Sequence, residues 1–243
     1  MATIFLKEIH SFFSSLIGYI VIGVFLTVLG LVMFVFPDTS LLKYNYATLD
    51  QLFDIAPMVF VFLIPAVTMR SFAEEQQTGT IVLLVTRPVR DVEIIVGKYL
   101  ANLALVLFAI LPTGLYYLTV YQLGSPKGNL DSGAIAGSYL GLMFLASVFV
   151  AIGIFASSLT NNQITAFIVS TFLCFFFHWG FTFLSALPVF VGKVDDLVQM
   201  VGISYHYDSI SRGVVDTRDL VYFLSVTGVF LAMTATSLER RKW

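Results

Sequence analysis

The sequence predicts an all-α integral membrane protein with six transmembrane helices, on three observations. First, 58% of its 243 residues are hydrophobic and only 12% are charged, which is unusual for a water-soluble domain. Second, apolar stretches that could cross about 30 Å of hydrocarbon recur six times along the chain. Third, prolines, glycines and polar residues that end helices separate these stretches. We therefore expect one transmembrane domain over residues 1–243.

The first three spans are placed at residues 16–36, 52–69 and 99–121. The first ends before Pro37, and because no small-residue cleavage site follows it, we expect a retained anchor rather than a secretory signal. Pro57 and Pro65 interrupt the second span, which predicts a kinked or locally thinned crossing. The third span also contains a proline, Pro112.

The last three spans are placed at residues 133–157, 163–187 and 220–238. The fourth and fifth come from one run between Asp131 and Lys193 that contains no Asp, Glu, Lys or Arg and is too long for a single crossing. A polar cluster at residues 157–163 divides this run. We expect a tight helical hairpin there, with Asn161 or Asn162 capping the fifth helix.

The distribution of Lys and Arg near the span ends favours cytoplasmic termini. With that orientation the inner segments hold Lys7, Arg70, Arg87, Arg90, Lys98, Arg240, Arg241 and Lys242, and the outer segments hold Lys43, Lys127, Lys193, Arg212 and Arg218. Residues 70–98 then form the long inner segment, and residues 188–219 form a long outer loop.

The fourth span begins with three glycines, Gly133, Gly137 and Gly141, spaced four residues apart. This spacing places them on one face of a helix, where small residues allow another helix to approach closely. The neighbour could be another helix of this chain or a helix of a second subunit.

The predicted spans lack the residues that several functional classes require. Secondary transporters and proton pumps need ionisable groups inside the membrane, whereas here only His178 and amides such as Asn102 interrupt the apolar spans. His178 is interpreted as a hydrogen-bonded packing residue. No hydrolase motif or phosphate-binding glycine loop occurs, and the histidines lack metal-ligand spacing. A net charge of −2 without a basic block argues against nucleic acid as a partner.

The inner segment 70–98 is where an external motor could act on the chain. It opens with a helix-prone polar stretch that includes Glu74 and Glu75, and Gly79 is expected to end that helix. An apolar strip at residues 81–85 follows, and Pro88 ends it. Such a segment could lie along the membrane surface, or it could be a solvated connector.

The pattern Glu-x-x-x-Gly-Thr at Glu75–Thr80, with the apolar strip and Pro88 after it, resembles the cytoplasmic coupling helix of ABC-2 family permeases. Residues 1–15 resemble the N-terminal amphipathic interface helix of the same family, so the likeness spans essentially the whole chain. The resemblance implies the type V ABC exporter-like fold. It also implies that the ATPase-coupling residues are Lys7, Glu8, Glu74, Glu75, Thr78, Gly79, Thr80 and Pro88.

This chain departs from the family pattern at Val82, where many relatives carry an acidic residue, which leaves Glu74 and Glu75 as the acidic candidates. In the outer loop, Tyr205–Leu224 is similar to the corresponding loop and sixth helix of permeases that serve gliding motility. The motif residues there are His206, Arg212, Gly213 and Asp216. The loop's recurring apolar residues predict short interfacial or re-entrant helices that either plug the outer mouth or shield helix ends.

The resemblance implies a permease subunit that couples hydrolysis by a separate ATPase subunit to transport or force transmission across a bacterial inner membrane. ATP would be bound by that partner, so we expect no enzymatic activity and no cofactor in this chain. The other expected partners are the lipid bilayer and either a second membrane subunit with a large outer domain or a second permease copy. The alternative is a mechanotransmission or scaffold subunit that moves no cargo, which fits the missing polar pathway. An ATP-independent secondary transporter is disfavoured.

Overall fold

The computed structural model of the chain describes residues 1–37, 40–41, 48–80, 90–188, 192 and 194–240, without the side chain of Ile17. These residues form helices and connecting turns and contain no strand, so the predicted all-α class is confirmed. The apolar strip at 81–85, Val82 and Pro88 lie outside the described residues. So do five of the basic residues in the orientation count: Lys43, Arg87, Lys193, Arg241 and Lys242.

In chain order the helices are α1 (Ala2–Phe13), α2 (Leu16–Phe34), α3 (Asp50–Thr68), α4 (Arg70–Gln77), α5 (Asp91–Ile110), α6 (Gly114–Leu123), α7 (Ser132–Leu159), α8 (Gln163–Phe175), α9 (Phe181–Ser185), α10 (Asp195–Val201), α11 (Ile203–Ile210) and α12 (Thr217–Arg240). A 3₁₀ turn at Leu111–Thr113 joins α5 to α6, and a π turn at Phe176–Gly180 joins α8 to α9.

The described part of the chain holds five continuous helices that are long and apolar enough to cross a membrane. They are Asp50–Gln77, Asp91–Leu123, Ser132–Leu159, Gln163–Ser185 and Thr217–Arg240. The α1–α2 pair makes a sixth when it is counted as one span bent by 71°. The predicted six spans agree with this upper count, and the bend sets α1 apart from the direction of α2.

Two helices extend beyond the predicted spans at the inner segment. The helix of the third span begins at Asp91, eight residues before residue 99, and Asp91 and Glu93 in its first turn suit the positive end of a helix dipole. The helix of the second span continues past residue 69 through α4 to Gln77. The segment 70–98 is therefore helical at both of its ends. No break accompanies Pro57 or Pro65, because α3 is continuous through both.

The helix α7 lies at the centre of the bundle and packs on α3, α4, α5, α8, α11 and α12. Its small residues allow close approach. A Cβ at Gly153 would lie 2.1 Å from Thr68 Oγ1, and a Cβ at Gly141 would lie 2.5 Å from Ile210 Cγ2. A Cβ at Gly137 would lie 2.6 Å from the carbonyl oxygen of Gly213. These three glycines therefore pack against other parts of this chain.

Gly133 differs from the other two glycines of the predicted stripe. A Cβ there would meet only the carboxylate of Asp131, the N-cap of the same helix, at 3.3 Å.

The predicted α7–α8 hairpin is confirmed, with Asn162 as the N-cap of α8. The side-chain oxygen of Asn162 accepts hydrogen bonds from the backbone N–H groups of Ile164 and Thr165 at 2.8 and 3.3 Å.

The helices define two opposite faces of the bundle. We call the face that carries α1, α4 and the C-terminal end of α12 the N-terminal face, and the face that carries α10 and α11 the loop face. The loop helices pack into the bundle, since Ile203, Tyr207 and Ile210 of α11 are buried. The Tyr207 hydroxyl donates to the carbonyl of Phe53 at 2.8 Å, which ties α11 to α3.

We expect Gly137→Ala to lower the free energy of unfolding by about 1–3 kcal/mol, because the added methyl group overlaps the backbone at Gly213. The matched control is Gly228→Ala in α12, where a Cβ would meet nothing within 4 Å. That variant should be neutral or slightly stabilising, since alanine is the better helix former. Thermal unfolding in detergent micelles compares the two. Equal stability of both variants would contradict the close packing at Gly137.

Candidate coupling site

A buried lysine joins three helices at the N-terminal face. The side chain of Lys98 in α5 is only 1% exposed. Its Nζ donates to Glu8 Oε1 of α1 at 2.7 Å and to the carbonyl oxygen of Ser71 in α4 at 2.6 Å, and it lies 2.9 Å from Glu75 Oε1. The ammonium thus faces three acceptors, which a buried charge requires.

Glu75 of α4 receives a second cation from α1. Lys7 Nζ donates to Glu75 Oε1 at 2.7 Å, so Lys7 and Lys98 share this one oxygen. Burial alone would lower the pKa of Lys7, but the hydrogen bond to Glu75 and the charges of Glu75, Glu8 and Glu74 raise it. Lys7 is therefore held in its charged form. We call Lys7, Glu8, Glu75 and Lys98 the charged cluster.

The other carboxylate oxygen of Glu75, Oε2, is buried and has no hydrogen-bond donor within the described residues. A buried acceptor without a donor costs stability, so the carboxylate is held by the two lysines on one side only.

The position of α4 is set by the central helix. The Ser157 hydroxyl of α7 accepts hydrogen bonds from the backbone N–H groups of Phe72 and Ala73, each at 3.0 Å, and donates to the carbonyl of Met69 at 2.9 Å. The Gln76 side chain donates to the carbonyl of Ser158 at 3.1 Å. The backbone of the first turn of α4 and the side chain of its last turn are thus both anchored to the end of α7.

The helix α1 approaches α5 closely next to Lys98. A Cβ at Gly97 would lie 3.3 Å from the side chain of Ile4, so glycine allows α1 to lie against α5 at this point. On the same side of α5, Asn102 Nδ2 donates to the Ser71 hydroxyl at 2.9 Å and to the Lys98 carbonyl at 2.7 Å. The junction between α4 and α5 is therefore polar and hydrogen-bonded.

Glu74 occupies a different environment from Glu75. Its side chain is 39% exposed, whereas that of Glu75 is 10% exposed. Glu74 pairs with Arg70 one turn earlier through two bonds of 2.8 and 3.1 Å. Arg70 also donates to the hydroxyl of Ser15, the N-cap of α2, at 3.2 Å. Of the two predicted acidic candidates, Glu74 is accessible, and Glu75 is directed into the charged cluster.

A polar cleft of about 180 Å³ lies beside the cluster, between α1 and α4. Its lining includes Lys7, Glu8, Ser11, Arg70, Ser71, Glu74, Glu75, Thr78 and Thr80. At its exposed rim the hydroxyls of Thr78 and Thr80 lie 2.9 Å apart, and Gly79 between them has a φ of 70°, which favours glycine. Within the predicted segment 70–98, the described residues stop after this short turn and resume at Arg90.

The structure thus brings together seven of the eight predicted coupling residues along the cluster and its cleft, and the eighth, Pro88, is outside the described residues. Sequence reasoning missed Lys98 and Asn102, because it assigned Lys98 to a loop and Asn102 to an apolar span. The signal that could have found them is their spacing. A lysine and an amide four residues apart in an otherwise apolar helix lie on one face and predict a polar partner.

The outer-loop motif lies on the opposite, loop face and does not belong to this site. His206 contacts Asp219 and Met200, and Gly213 has a φ of 84° and packs against Ala134. Arg212 Nε donates to the carbonyl of Asp208 at 3.0 Å. The Asp216 carboxylate accepts from the backbone N–H of Arg218 at 3.0 Å, at the start of α12.

His178 lies in the π turn and is buried among rings. The described residues provide no hydrogen-bond partner for its Nδ1, and its ring contacts are with Phe149, Trp179 and Tyr207. Within the described chain, no group of three or more His, Cys, Asp or Glu side chains could hold a metal ion. The chemistry available at the charged cluster is electrostatic, since it consists of ion pairs and hydrogen bonds between helices.

We expect Lys98→Met to lower stability by about 3–5 kcal/mol, because it leaves Glu8 and Glu75 without their shared buried cation. The exposed Lys127, changed to Met, is the control and should alter stability by less than about 0.5 kcal/mol. Adding Glu75→Gln to Lys98→Met should recover part of the loss. Thermal unfolding in micelles measures all three. A loss in the double variant equal to the sum of the losses in Lys98→Met and in Glu75→Gln alone would show that the two residues are not coupled.

Comparison with known proteins assigns the chain to a family. A family model described as ABC-2 family transporter protein matches residues 2–243. No curated protein matches the chain. The family match includes α1, the charged cluster and every candidate span, and proteins of this kind are the membrane components of ABC transporters and are generally not catalytic themselves. The chain therefore belongs to the ABC-2 family of transporter proteins, as a multi-pass membrane component that works with an ABC ATPase subunit.

Proposed function

We propose that this permease receives the movement of its ATPase at the N-terminal face and passes it to the bundle through the charged cluster, for transport or force transmission. The observation that carries the proposal is the position of Lys98. One buried ammonium bonds α1 and α4 to α5 at the same time. A force on α1 or α4 must therefore either move α5 as well or separate buried opposite charges.

Separation of these charges is the costlier of the two responses. Breaking a buried ion pair costs about 3–5 kcal/mol, whereas small rigid-body shifts of packed helices keep the contacts intact. The cluster therefore favours joint movement of α1, α4 and α5. The cluster differs in this respect from the more exposed Arg70–Glu74 pair, since pairs at a surface contribute only about 0–1 kcal/mol.

The same movement reaches two further spans. The helix α4 continues directly from α3 as one long candidate span. It is also hydrogen-bonded through Ser157 to the end of α7, the helix that most of the bundle packs against. A tilt of α4 is thus transmitted along α3 and α7, which meet the loop helix α11 at their far ends.

The contact with the ATPase is proposed at the accessible part of this face. Glu74 and Lys7 are substantially exposed, and the turn at Thr78–Thr80 is exposed as well. Glu75 and Lys98 are too buried to meet a partner directly, so their proposed role is to transmit rather than to bind.

The finer assignments are part of the proposal. The Lys and Arg distribution supports cytoplasmic termini, which would place the N-terminal face where a cytoplasmic ATPase can reach it. The resemblance to bacterial permeases supports a location in the bacterial inner membrane. ATP would be bound by that subunit. The similarity of Tyr205–Leu224 to gliding-motility permeases supports a role in gliding motility. A companion subunit with a large outer domain, or a second permease copy, would complete the membrane part.

A second candidate is a mechanotransmission subunit that moves no cargo. The observation in its favour is where the buried charges lie. Among the described residues, the buried charged side chains are Glu75 and Lys98 at the N-terminal face and Asp219 at the first turn of α12. The middle of the described bundle therefore offers no charged path for a polar cargo.

The test is to purify the chain with its ABC ATPase subunit in lipid nanodiscs and to measure both complex formation and ATP hydrolysis. We expect Glu75→Gln to leave the complex intact but to lower permease-dependent hydrolysis about tenfold, the effect of a change of about 1.4 kcal/mol in the barrier. We expect Glu74→Arg to weaken complex formation itself, because it reverses an exposed charge at the contact face.

The control is Glu239→Arg, which reverses an exposed charge at the same face but outside the cluster and cleft. It should match the parent protein in both measurements. Hydrolysis by Glu75→Gln at the parent level would contradict transmission through the cluster. Cargo movement in proteoliposomes, measured with the parent complex, then separates transport from the cargo-free alternative.

A further inference from the structure

The histidine ring of the outer-loop motif is bonded through both of its nitrogens. His206 Nδ1 lies 2.7 Å from Asp219 Oδ1 at the first turn of α12. Its Nε2 lies 3.0 Å from the carbonyl oxygen of Met200 in α10. Both neighbours are oxygen atoms that accept hydrogen bonds. The ring, which belongs to α11, therefore connects α10, α11 and the first turn of α12.

This geometry requires a specific number of protons. A neutral imidazole carries one N–H, so it can donate to Met200 or to an ionised Asp219, but not to both. The second nitrogen would then place a lone pair against an oxygen lone pair at hydrogen-bond distance. Both bonds form together only with one additional proton. With that proton on the ring, both nitrogens are donors, one toward Asp219 and one toward Met200.

A second ring supports the same contact. Tyr222 of α12 stacks on His206 with ring centroids 3.9 Å apart, and its hydroxyl donates to the carbonyl of Val201 at 2.6 Å. His206 and Tyr222 thus bond the last two carbonyls of α10, Met200 and Val201. Carbonyls at the end of a helix lack partners within that helix, so these two side chains hold the end of α10 onto α11 and α12.

We propose that His206 is a pH-sensitive latch, which holds the Met200 carbonyl of α10 while the ring carries both protons and loosens the end of α10 when one is lost. The charged group facing the ring is Asp219 of α12, and Tyr222 of the same helix stacks on it. From α10 the ring meets a backbone carbonyl, and from α11 it meets the ring edge of Tyr205. When one proton is lost, the remaining N–H stays directed at Asp219, because a carboxylate is a stronger acceptor than a backbone carbonyl, and the bond to Met200 is lost.

The release is confined to α10. This helix has no buried residue, whereas α11 is held independently by three buried side chains and by the Tyr207 hydroxyl bond to Phe53. The Ser138 hydroxyl of α7 also donates to the carbonyl of Ser211 at 2.6 Å, directly after α11. The bundle and α11 therefore stay in place while the end of α10 opens. The latch does not depend on the proposed role of the charged cluster.

The test is hydrogen exchange of residues 195–202 in the full chain in nanodiscs, normalised at each pH to the exchange rate of unstructured peptide. Between about pH 5.5 and about pH 8.5, protection should fall about tenfold. That factor corresponds to the loss of one hydrogen bond to a charged group. His206→Gln cannot titrate and should remove this pH dependence, whereas the control His10→Gln, exposed in α1, should retain it.

Nitrogen NMR of ¹⁵N-histidine-labelled parent protein provides a readout that needs no folded variant. With the His206 signal assigned, both ring nitrogens should carry protons at the lower pH. A singly protonated ring at that pH would overturn the proposal. An unchanged protection of α10 across the two pH values, or the same pH dependence in His206→Gln as in the parent, would overturn it as well.

Discussion

The arrangement of the N-terminal face depends on the need of one buried ammonium, that of Lys98, for counter-charges. A lysine with 1% of its side chain exposed must be surrounded by acceptors, and here they come from α1 and α4. This requirement explains why α1 lies against α5 at Gly97, and why Glu75 faces the bundle while Glu74 faces solvent. An amphipathic helix that the membrane surface alone could hold is thereby bonded to the transmembrane part.

The central helix α7 connects this face with the other one. Near its C-terminal end the Ser157 hydroxyl orients α4, and Gly153 admits Thr68 of α3. Near its N-terminal end Ser138 bonds the chain after α11, and Gly137 and Gly141 admit Gly213 and Ile210. Small residues along α7 thus bring α4 at one end, and α11 with the turn after it at the other, against the same helix. Close-packed elements of this kind transmit displacements rather than absorb them.

Much of the fold could be predicted because lipid restricts the choices. A chain that crosses the bilayer must satisfy its backbone internally, so apolar runs predict helices, and polar breaks predict their ends. A cap at Asn161 or Asn162 followed from this reasoning, and the structure shows that it is Asn162. The start of α5 did not, because charge was taken as the mark of a helix end. Lys98 is charged, yet it is helical and buried, because Glu8 and Glu75 neutralise it in space. Its spacing could not show this, because these counter-ions lie about 90 and 23 residues away along the chain.

The sequence by itself determined the class, the approximate spans and the family-like segment that contains Glu74, Glu75 and the Thr78–Thr80 turn, because these depend on local composition and spacing. Only the tertiary structure decided which carboxylate is accessible, that Lys98 and Asn102 belong to the site, and that His206 lies between Met200 and Asp219. The physical reason is the same in each case. Ion pairs and hydrogen bonds act over a few ångströms in space, whereas their partners are separated along the chain by other helices whose packing the sequence does not display.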